Sequence, residues 1–196
     1  MTCSDLLNPS ECVFVFVDFQ AGLAFGVEST GRQTLVNNAV ALARTAVAFG
    51  SPVVATTSAS KVYSGPLLPA LQSALPAVQT IERRNMNFWE DEAARQAVTS
   101  TGRERIILTG LLTEACVSFP ALSALKDSFD VFVVADACGG LTVGRKQAGI
   151  AAHGIGGSNT DQLDFRCCWS FNETGHGTRR MKRHDQLSST TEAVTE

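Results

Sequence analysis

The chain has 196 residues, enough for one α/β domain or for a smaller domain with a tail. Its formal net charge is −3 and its first 140 residues contain no basic cluster, so nucleic acid and acidic membrane surfaces are poor partners. No apolar run reaches the length of a membrane span, and the first ten residues lack a signal-peptide pattern. Six cysteines without a C-x-x-C pair or a disulfide spacing favour a reducing compartment, so we expect a cytoplasmic protein.

Residue types are distributed unevenly along the chain. All three histidines and the adjacent Cys167 and Cys168 fall after residue 150, and only seven of the 53 residues in 144–196 are Leu, Ile, Val or Phe. That share lies below the roughly 20% of chains that build a core. We therefore predict one domain over residues 1–143 and a divergent, disordered tail over residues 144–196.

Strand-like and helix-like segments alternate up to about residue 140. Continuous β-branched and aromatic runs predict buried parallel strands, and amphipathic segments that end at Gly or Pro predict helices. The predicted strands are residues 12–18, 52–57, 78–81, 105–109 and 130–136, and the predicted helices are residues 34–50, 68–75, 90–100 and one that begins near residue 113. Short connections require right-handed crossovers, so the pattern predicts a three-layer α/β/α, doubly wound parallel sheet of the Rossmann-like class.

Cys116 lies in the first turn of a predicted helix, just after the fourth predicted strand. Thr113 is a good N-cap type, and Glu114 places an acid in the first turn, where the helix dipole favours it. Unpaired N–H groups at such a helix start would stabilise a thiolate, so Cys116 is a candidate nucleophile. The alternative is a small buried packing residue, which is the commoner role of a free cysteine.

Asp18 is predicted to lie near Cys116. Ligands of doubly wound sheets bind beyond the carboxyl ends of the strands, where the strand order reverses. With the strand order 3-2-1-4-5, that reversal lies between the first and fourth strands. Asp18 ends the first strand and Cys116 follows the fourth, so both would line one crevice. The alternative for Asp18 is an acid that caps a helix or orders a loop.

A cysteine nucleophile needs a proton acceptor, and no histidine occurs in the first 152 residues. This excludes a Cys–His dyad and a histidine zinc site within the predicted core. Asp18 is the best-placed acceptor, provided that burial raises its pKa. Arg83 and Arg84 offer a balancing cation, although two adjacent arginines more often form a solvated turn.

Five segments carry a family resemblance. They are VDFQAG at 17–22, ATTS at 55–58, IERxxxNFW at 81–89, GLLTEACVSFPALSA at 110–124 and FDVFVVADACGG at 129–140. Together they resemble the isochorismatase-like cysteine hydrolase superfamily, and within it the metal-independent YcaC-like branch. The resemblance covers about residues 10–143.

The resemblance implies a catalytic triad of acid, base and cysteine that corresponds to Asp18, Arg83 and Cys116. Arg83 fits better than Arg84, because the family's asparagine follows four residues later, at Asn87.

The resemblance also implies a cis peptide bond between Leu111 and Leu112, and an oxyanion hole made by the N–H groups of Leu112 and Cys116. Metal-dependent relatives such as nicotinamidases have acid and histidine ligands after the second strand. Residues 57–61 here read TSASK, so we expect no metal and no cofactor.

The activity implied is hydrolysis of a C–N, amide-like bond of a small molecule through a thioester on Cys116. The candidate substrate-pocket residues are Phe19, Gln20, Asn87, Trp89 and Phe119. Core packing is the alternative for the three aromatic side chains among them.

After Gly140 the sequence departs from the family pattern. We infer that the last 50 or so residues derive from a shifted reading frame or an altered splice, so that the sixth strand is missing. One sheet edge would then be uncovered, and surface that relatives use to form homo-oligomers would be lost. Cys167, Cys168, His176 and His184 lack paired zinc-ligand spacing.

Two alternative functions follow from these observations. The first is a catalytically impaired or non-catalytic relative, because the C-terminal part of the domain is replaced. The second is an isochorismatase-type vinyl-ether hydrolase, which relatives run without a cysteine nucleophile; the presence of Cys116 argues against it.

Overall fold

The protein is described here from a computed structural model that covers residues 7–152 and the main chain of residues 162–163. Its centre is a parallel sheet with the strand order 3-2-1-4-5-6, which confirms the predicted order 3-2-1-4-5. The strands are β1 (Cys12–Val17), β2 (Val53–Ser58), β3 (Thr80–Arg83), β4 (Arg105–Gly110), β5 (Asp130–Val134) and β6 (Gln162–Leu163).

Helices connect successive strands and cover the sheet. They are α1 (Ala21–Ala24), α2 (Arg32–Phe49), α3 (Pro69–Ala74), α4 (Glu92–Thr99), α5 (Ser118–Lys126) and α6 (Val143–Ala151). The longest, α2, ends as predicted at Gly50. The φ of Gly50 is 65°, a left-handed conformation that glycine adopts readily because it has no Cβ. In the described part of the chain, no helix combines the length and the apolar character required to cross a membrane.

The sheet is buried on both faces, because successive side chains of a strand point to opposite sides. Phe14 and Phe16 of β1 belong to a core cluster that includes α2 and α3 residues such as Leu42. Val13 and Val15 belong to a second cluster that includes residues of α4 and α5. This alternation gives the predicted three-layer α/β/α arrangement and explains why β1 is apolar throughout.

The bounds of two elements near the crevice differ from the sequence-based expectation. The third strand runs over Thr80–Arg83 rather than residues 78–81, so its last residue, Arg83, pairs with Ser58 at the end of β2. The helix after β4 does not begin regularly at Thr113. Residues 113–117 form a π-helical turn, the Thr113 side chain makes no capping hydrogen bond, and regular helix starts at Ser118.

The chain continues past the predicted domain boundary as helix α6. The Ser118 hydroxyl donates to the carbonyl of Gly149 in α6 over 3.1 Å. Beyond it, the sixth strand expected to be missing is present over two residues, which pair with Val133 and Val134 of β5. The remainder of the predicted tail, including Cys167, Cys168, His176 and His184, lies outside the described residues.

Candidate active site

Asp18 directly follows β1, where the order of the strands reverses. Its φ of 58° places a non-glycine residue in the left-handed region, an uncommon conformation that aspartate tolerates better than most residues. The side chain is completely buried. Its Oδ2 accepts hydrogen bonds from the Arg83 guanidinium and, over 3.3 Å, from the Ser58 hydroxyl. Oδ1 is also buried and has no nitrogen or oxygen partner among the described residues.

Arg83 is the buried member of the arginine pair, at 1% exposure, whereas Arg84 is exposed. Its guanidinium forms an ion pair with Asp18 in which both side chains are shielded from solvent. The Nη1 group donates to the main-chain carbonyls of Asn85 and Met86, and Nε donates to the Thr56 hydroxyl over 3.5 Å. Arg83 is therefore held by protein groups on every donor side, as a buried charge requires.

Cys116 lies in the π-helical turn after β4, and its side chain is partly buried. A cis peptide bond joins Leu111 and Leu112 just before this turn, as the family resemblance implied. The segment is anchored on both sides: the Leu111 N–H donates to Val17 over 3.0 Å, and the Thr113 N–H donates to Gly139 over 2.9 Å.

The pKa of the Cys116 thiol is raised above its ordinary value. Burial is the main cause and the Asp18 carboxylate adds to it, while Arg83 and a main-chain hydrogen bond from Leu112 act in the opposite direction. The expectation of a thiolate stabilised by a helix start is thus corrected, because desolvation outweighs the positive groups. A nucleophilic role for this thiol would therefore require a base.

The pKa of Asp18 is also raised, and burial is again the main cause. Arg83, the Cys116 thiol and the Ser58 hydroxyl oppose this rise by stabilising the carboxylate. The direction agrees with the condition set from the sequence for Asp18 to act as a base. The Cys116 thiol is thus one of the groups that interact with the Asp18 carboxylate.

The two expected oxyanion-hole donors have different environments. The main chain of Leu112 lowers the pKa of the Cys116 thiol and so interacts with its sulfur. The Cys116 N–H instead donates to the Leu112 carbonyl over 2.9 Å. To bind an oxyanion, the Cys116 N–H would have to share or leave that bond.

Two expected pocket residues near Asp18 have structural partners. Phe19 is completely buried in the cluster under α2 and α3, where its ring packs against Phe16 at 6.2 Å. Gln20 is completely buried, and its amide bonds to the main chain of Ser58 and to the carbonyl of Gly65. Both side chains therefore shape the loop that follows Asp18.

Asn87 and Trp89 also make contacts within the fold. Asn87 accepts from the Trp89 N–H over 3.1 Å and donates to the Ser123 hydroxyl over 3.0 Å. The Trp89 indole N–H donates to Asp127, just after α5, over 2.7 Å, and its ring meets Phe129 edge-on at 5.2 Å. For Trp89 these contacts correspond to the core-packing alternative, because Phe129 lies at the amino end of β5, opposite the crevice.

Phe119, the remaining pocket candidate, is 47% exposed on α5. Core packing therefore does not account for it.

Two hydroxyl groups in the site had no role predicted from the sequence. Ser58 donates to Asp18, and Thr56 accepts from Arg83. The available signal was the segment ATTS at 55–58, which places hydroxyl side chains at the carboxyl end of the strand beside β1. Among the residues that the structure describes, no three His, Cys, Asp or Glu side chains come together as a metal site.

Comparison with known proteins identifies the same family along most of the chain. The family model of the Isochorismatase domain matches residues 12–154. The protein called Probable hydrolase YcaC, from Escherichia coli (strain K12), is 41% identical over 134 residues, which cover 68% of this chain and 64% of that relative. The match thus spans slightly less than two thirds of the relative's length.

Two solved structures share the fold at appreciable sequence identity. YcaC from Pseudomonas aeruginosa, described with hexane-2,5-diol and covalent acrylamide, is 36% identical with a TM-score of 0.77, covering 83% of this chain and 81% of that one. YcaC from Escherichia coli, described as an octameric hydrolase of unknown specificity, is 35% identical with a TM-score of 0.77, covering 83% and 80%. Since the family model spans β1 to α6 and the relatives exceed 30% identity, this chain belongs to the isochorismatase family.

Proposed function

We propose that the protein is a cysteine-dependent hydrolase that cleaves a C–N, amide-like bond of a small molecule. One observation carries the proposal: a buried carboxylate, a buried arginine paired with it and a partly buried thiol all lie at the switch point of the sheet. Membership of the isochorismatase family and the name of the Escherichia coli relative, a probable hydrolase, support the same activity class.

The proposed reaction begins with proton transfer from the Cys116 thiol to Asp18. Oδ1 is the oxygen available for this proton, because Oδ2 is occupied by Arg83 and Ser58. The sulfur forms a bond to the carbonyl carbon of the substrate, and the N–H of Leu112 stabilises the resulting oxyanion, together with that of Cys116 if it is released from Leu112. The C–N bond then breaks, and Asp18 returns the proton to the departing amine.

Water completes the reaction by hydrolysing the thioester. Asp18 takes a proton from the water, the new C–O bond replaces the C–S bond, and the thiol is regenerated with that proton. Arg83 keeps Asp18 anionic between these steps, since its positive charge balances the carboxylate in a site without solvent. Because Arg83 has protein partners on all its donor sides, we assign it to Asp18 rather than to the substrate.

The direct test is a panel of small amides incubated with the wild type and with Cys116→Ala. We expect turnover by the wild type alone, and a quenched reaction should contain the acyl group on the peptide that includes Cys116. Amide turnover by Cys116→Ala would refute the thioester route.

Acrylamide offers a second test without a known substrate, since the Pseudomonas aeruginosa relative is described with covalent acrylamide. Peptide mass spectrometry should find Cys116 alkylated much faster than the buried Cys138. Equal rates would mean that Cys116 is not an activated nucleophile and would favour the non-catalytic alternative.

A further inference from the structure

Ser58 is connected to Asp18 in two ways. Its hydroxyl donates to Asp18 Oδ2 over 3.3 Å. Its main chain is held by Gln20, two residues after Asp18: the Ser58 N–H donates to Gln20 Oε1 over 2.9 Å, and Gln20 Nε2 donates to the Ser58 carbonyl over 3.0 Å. Asp18, Gln20 and Ser58 therefore form a closed ring of one chain segment and three hydrogen bonds.

The orientation of the Gln20 amide is fixed by its partners. Nε2 has two hydrogens and faces two carbonyl oxygens, those of Ser58 and Gly65, while Oε1 faces an N–H group. In the reversed orientation, an oxygen would face two oxygens and an NH₂ group would face an N–H. Gln20 is completely buried, so no water replaces a lost contact without rearrangement.

The sheet places Ser58 where a donor to Asp18 is needed. Ser58 pairs with Arg83 across β2 and β3, and both side chains reach the same carboxylate oxygen. The ionisable groups that face Asp18 are Arg83, from β3, and Cys116, from the turn after β4. Ser58 adds a neutral donor from β2, so Oδ2 is occupied and Oδ1 is left for the thiol proton.

We propose that Ser58 is a positioning residue that orients the Asp18 carboxylate and stabilises its anionic form, and that Gln20 fixes the Ser58 main chain for this role. The proposal rests on the proposed function, in which Asp18 is the base for Cys116. Gln20, which the family resemblance suggested as a pocket residue, is thereby assigned to the support of Asp18. A donor to the charged form of an acid favours that form, so loss of the Ser58 hydroxyl makes Asp18 easier to protonate.

The test is the pH dependence of Cys116 alkylation by acrylamide, measured on the full chain by peptide mass. The wild type should react slowly in acid and then reach a plateau. On the plateau Asp18 and Cys116 hold one proton between them, and the fraction of molecules with that proton on Asp18 and a thiolate at Cys116 does not change with pH. Asp18→Asn should have no plateau, and its rate should rise about tenfold per pH unit up to the thiol pKa. A wild type that behaves like Asp18→Asn would refute Asp18 as the base, and with it the proposed function.

Ser58→Ala should raise the pH at which the rate levels off by about half to one unit and raise the plateau about three- to tenfold, since both follow the Asp18 pKa. At the acid end the two curves should coincide, because Asp18 is protonated in both proteins. Ser58→Thr, which keeps a hydroxyl, and Ser60→Ala, which removes a hydroxyl that interacts with Glu82, should both follow the wild type. If Ser58→Ala follows the wild type while Asp18→Asn loses the plateau, Ser58 has no such role although the proposed function stands.

Gln20→Met tests the second half of the proposal. We expect the pH at which the rate levels off to rise as much as in Ser58→Ala. The double variant should show no further rise, because both changes remove the same hydrogen bond from Ser58 to Asp18. Additive displacements would show that Gln20 acts independently of Ser58. If Gln20→Met does not melt cooperatively, Gln20→Asn, whose amide is one methylene short of Ser58, is measured in the same way.

Discussion

The Asp18 carboxylate and the Arg83 guanidinium form an ion pair that no solvent reaches, although 64 residues separate them in the sequence. Asp18 follows β1 and Arg83 ends β3, with β2 between them. Hydroxyl groups of β2 contact each member of the pair: Ser58 donates to Asp18, and Thr56 accepts from Arg83. Three neighbouring strands thus supply the charges and the hydrogen bonds of this buried pair.

Removal of Arg83 should destabilise the fold. Arg83→Met leaves Asp18 as a buried carboxylate without its cation, and we expect the free energy of unfolding to fall by about 3–5 kcal/mol. Arg84→Met is the matched control, since Arg84 is the exposed neighbour, and it should change stability by no more than about 0.5 kcal/mol. Urea unfolding of both variants measures the difference. Similar losses in the two proteins would contradict a structural ion pair at Arg83.

The buried thiol of Cys12 should make stability depend on alkaline pH. Burial raises the pKa of Cys12 from 9.0 to about 11. As the pH rises through this window, the unfolded chain loses the thiol proton while the folded chain retains it. The folded state therefore binds more protons, and its stability falls with rising pH by about 1.4 kcal/mol per pH unit for this thiol.

Cys12→Ala should remove that contribution. Urea unfolding between pH 9.0 and about 11 should show that the free energy of unfolding falls less steeply with pH in the variant than in the wild type. The difference between the two proteins at neutral pH measures the cost of the lost side-chain volume. Cys116 and Cys138 also have raised pKa values, so part of the decline should remain in the variant. Parallel curves would show that Cys12 ionises alike in both states.

Two glycines of α6 provide a test of how this helix packs. A Cβ on Gly149 would lie 2.8 Å from the Ser118 hydroxyl oxygen and 2.9 Å from the Glu114 Cα, whereas a Cβ on Gly144 would meet no atom within 4 Å. We expect Gly149→Ala to lower stability by about 1–3 kcal/mol, because the helix must move away from the turn that holds Cys116. Gly144→Ala should raise stability by about 0.5 kcal/mol through helix propensity.

Thermal and urea unfolding of both alanine variants measures this contrast. Equal effects would mean that α6 does not pack closely on residues 113–118.

Trp89 should affect stability rather than the reactive thiol. Trp89→Phe removes the indole N–H that bonds to Asp127, and we expect a loss of about 1–3 kcal/mol. The alkylation rate of Cys116 should stay within about twofold of the wild type, since the side chain packs against Phe129 rather than in the crevice. A large loss of Cys116 reactivity in a variant that remains folded would instead support Trp89 as a substrate-pocket residue.

Much of the fold follows from local patterns. The all-apolar run of β1 predicts a strand buried on both faces, and the sheet has core clusters on both sides of it. Gly50 predicts the end of α2 because few other residues adopt the left-handed conformation that it has. The helix after β4 was predicted to begin near Thr113, but residues 113–117 form a π-helical turn that the sequence does not reveal, since it depends on anchoring by Val17 and Gly139.

Residue types and spacing in the sequence alone determined the parallel sheet, its switch point, the candidates Asp18 and Cys116, and a cation at Arg83 or Arg84, of which the family resemblance favoured Arg83. The tertiary structure decided which arginine is buried, because β3 extends to Arg83 and pairs this residue with Ser58. It also reversed the expected direction of the Cys116 pKa, because desolvation depends on all the neighbours of the thiol and not on its place in a helix. Burial and hydrogen-bond partners are properties of the packed chain, so the roles of Ser58 and Gln20 emerge only there.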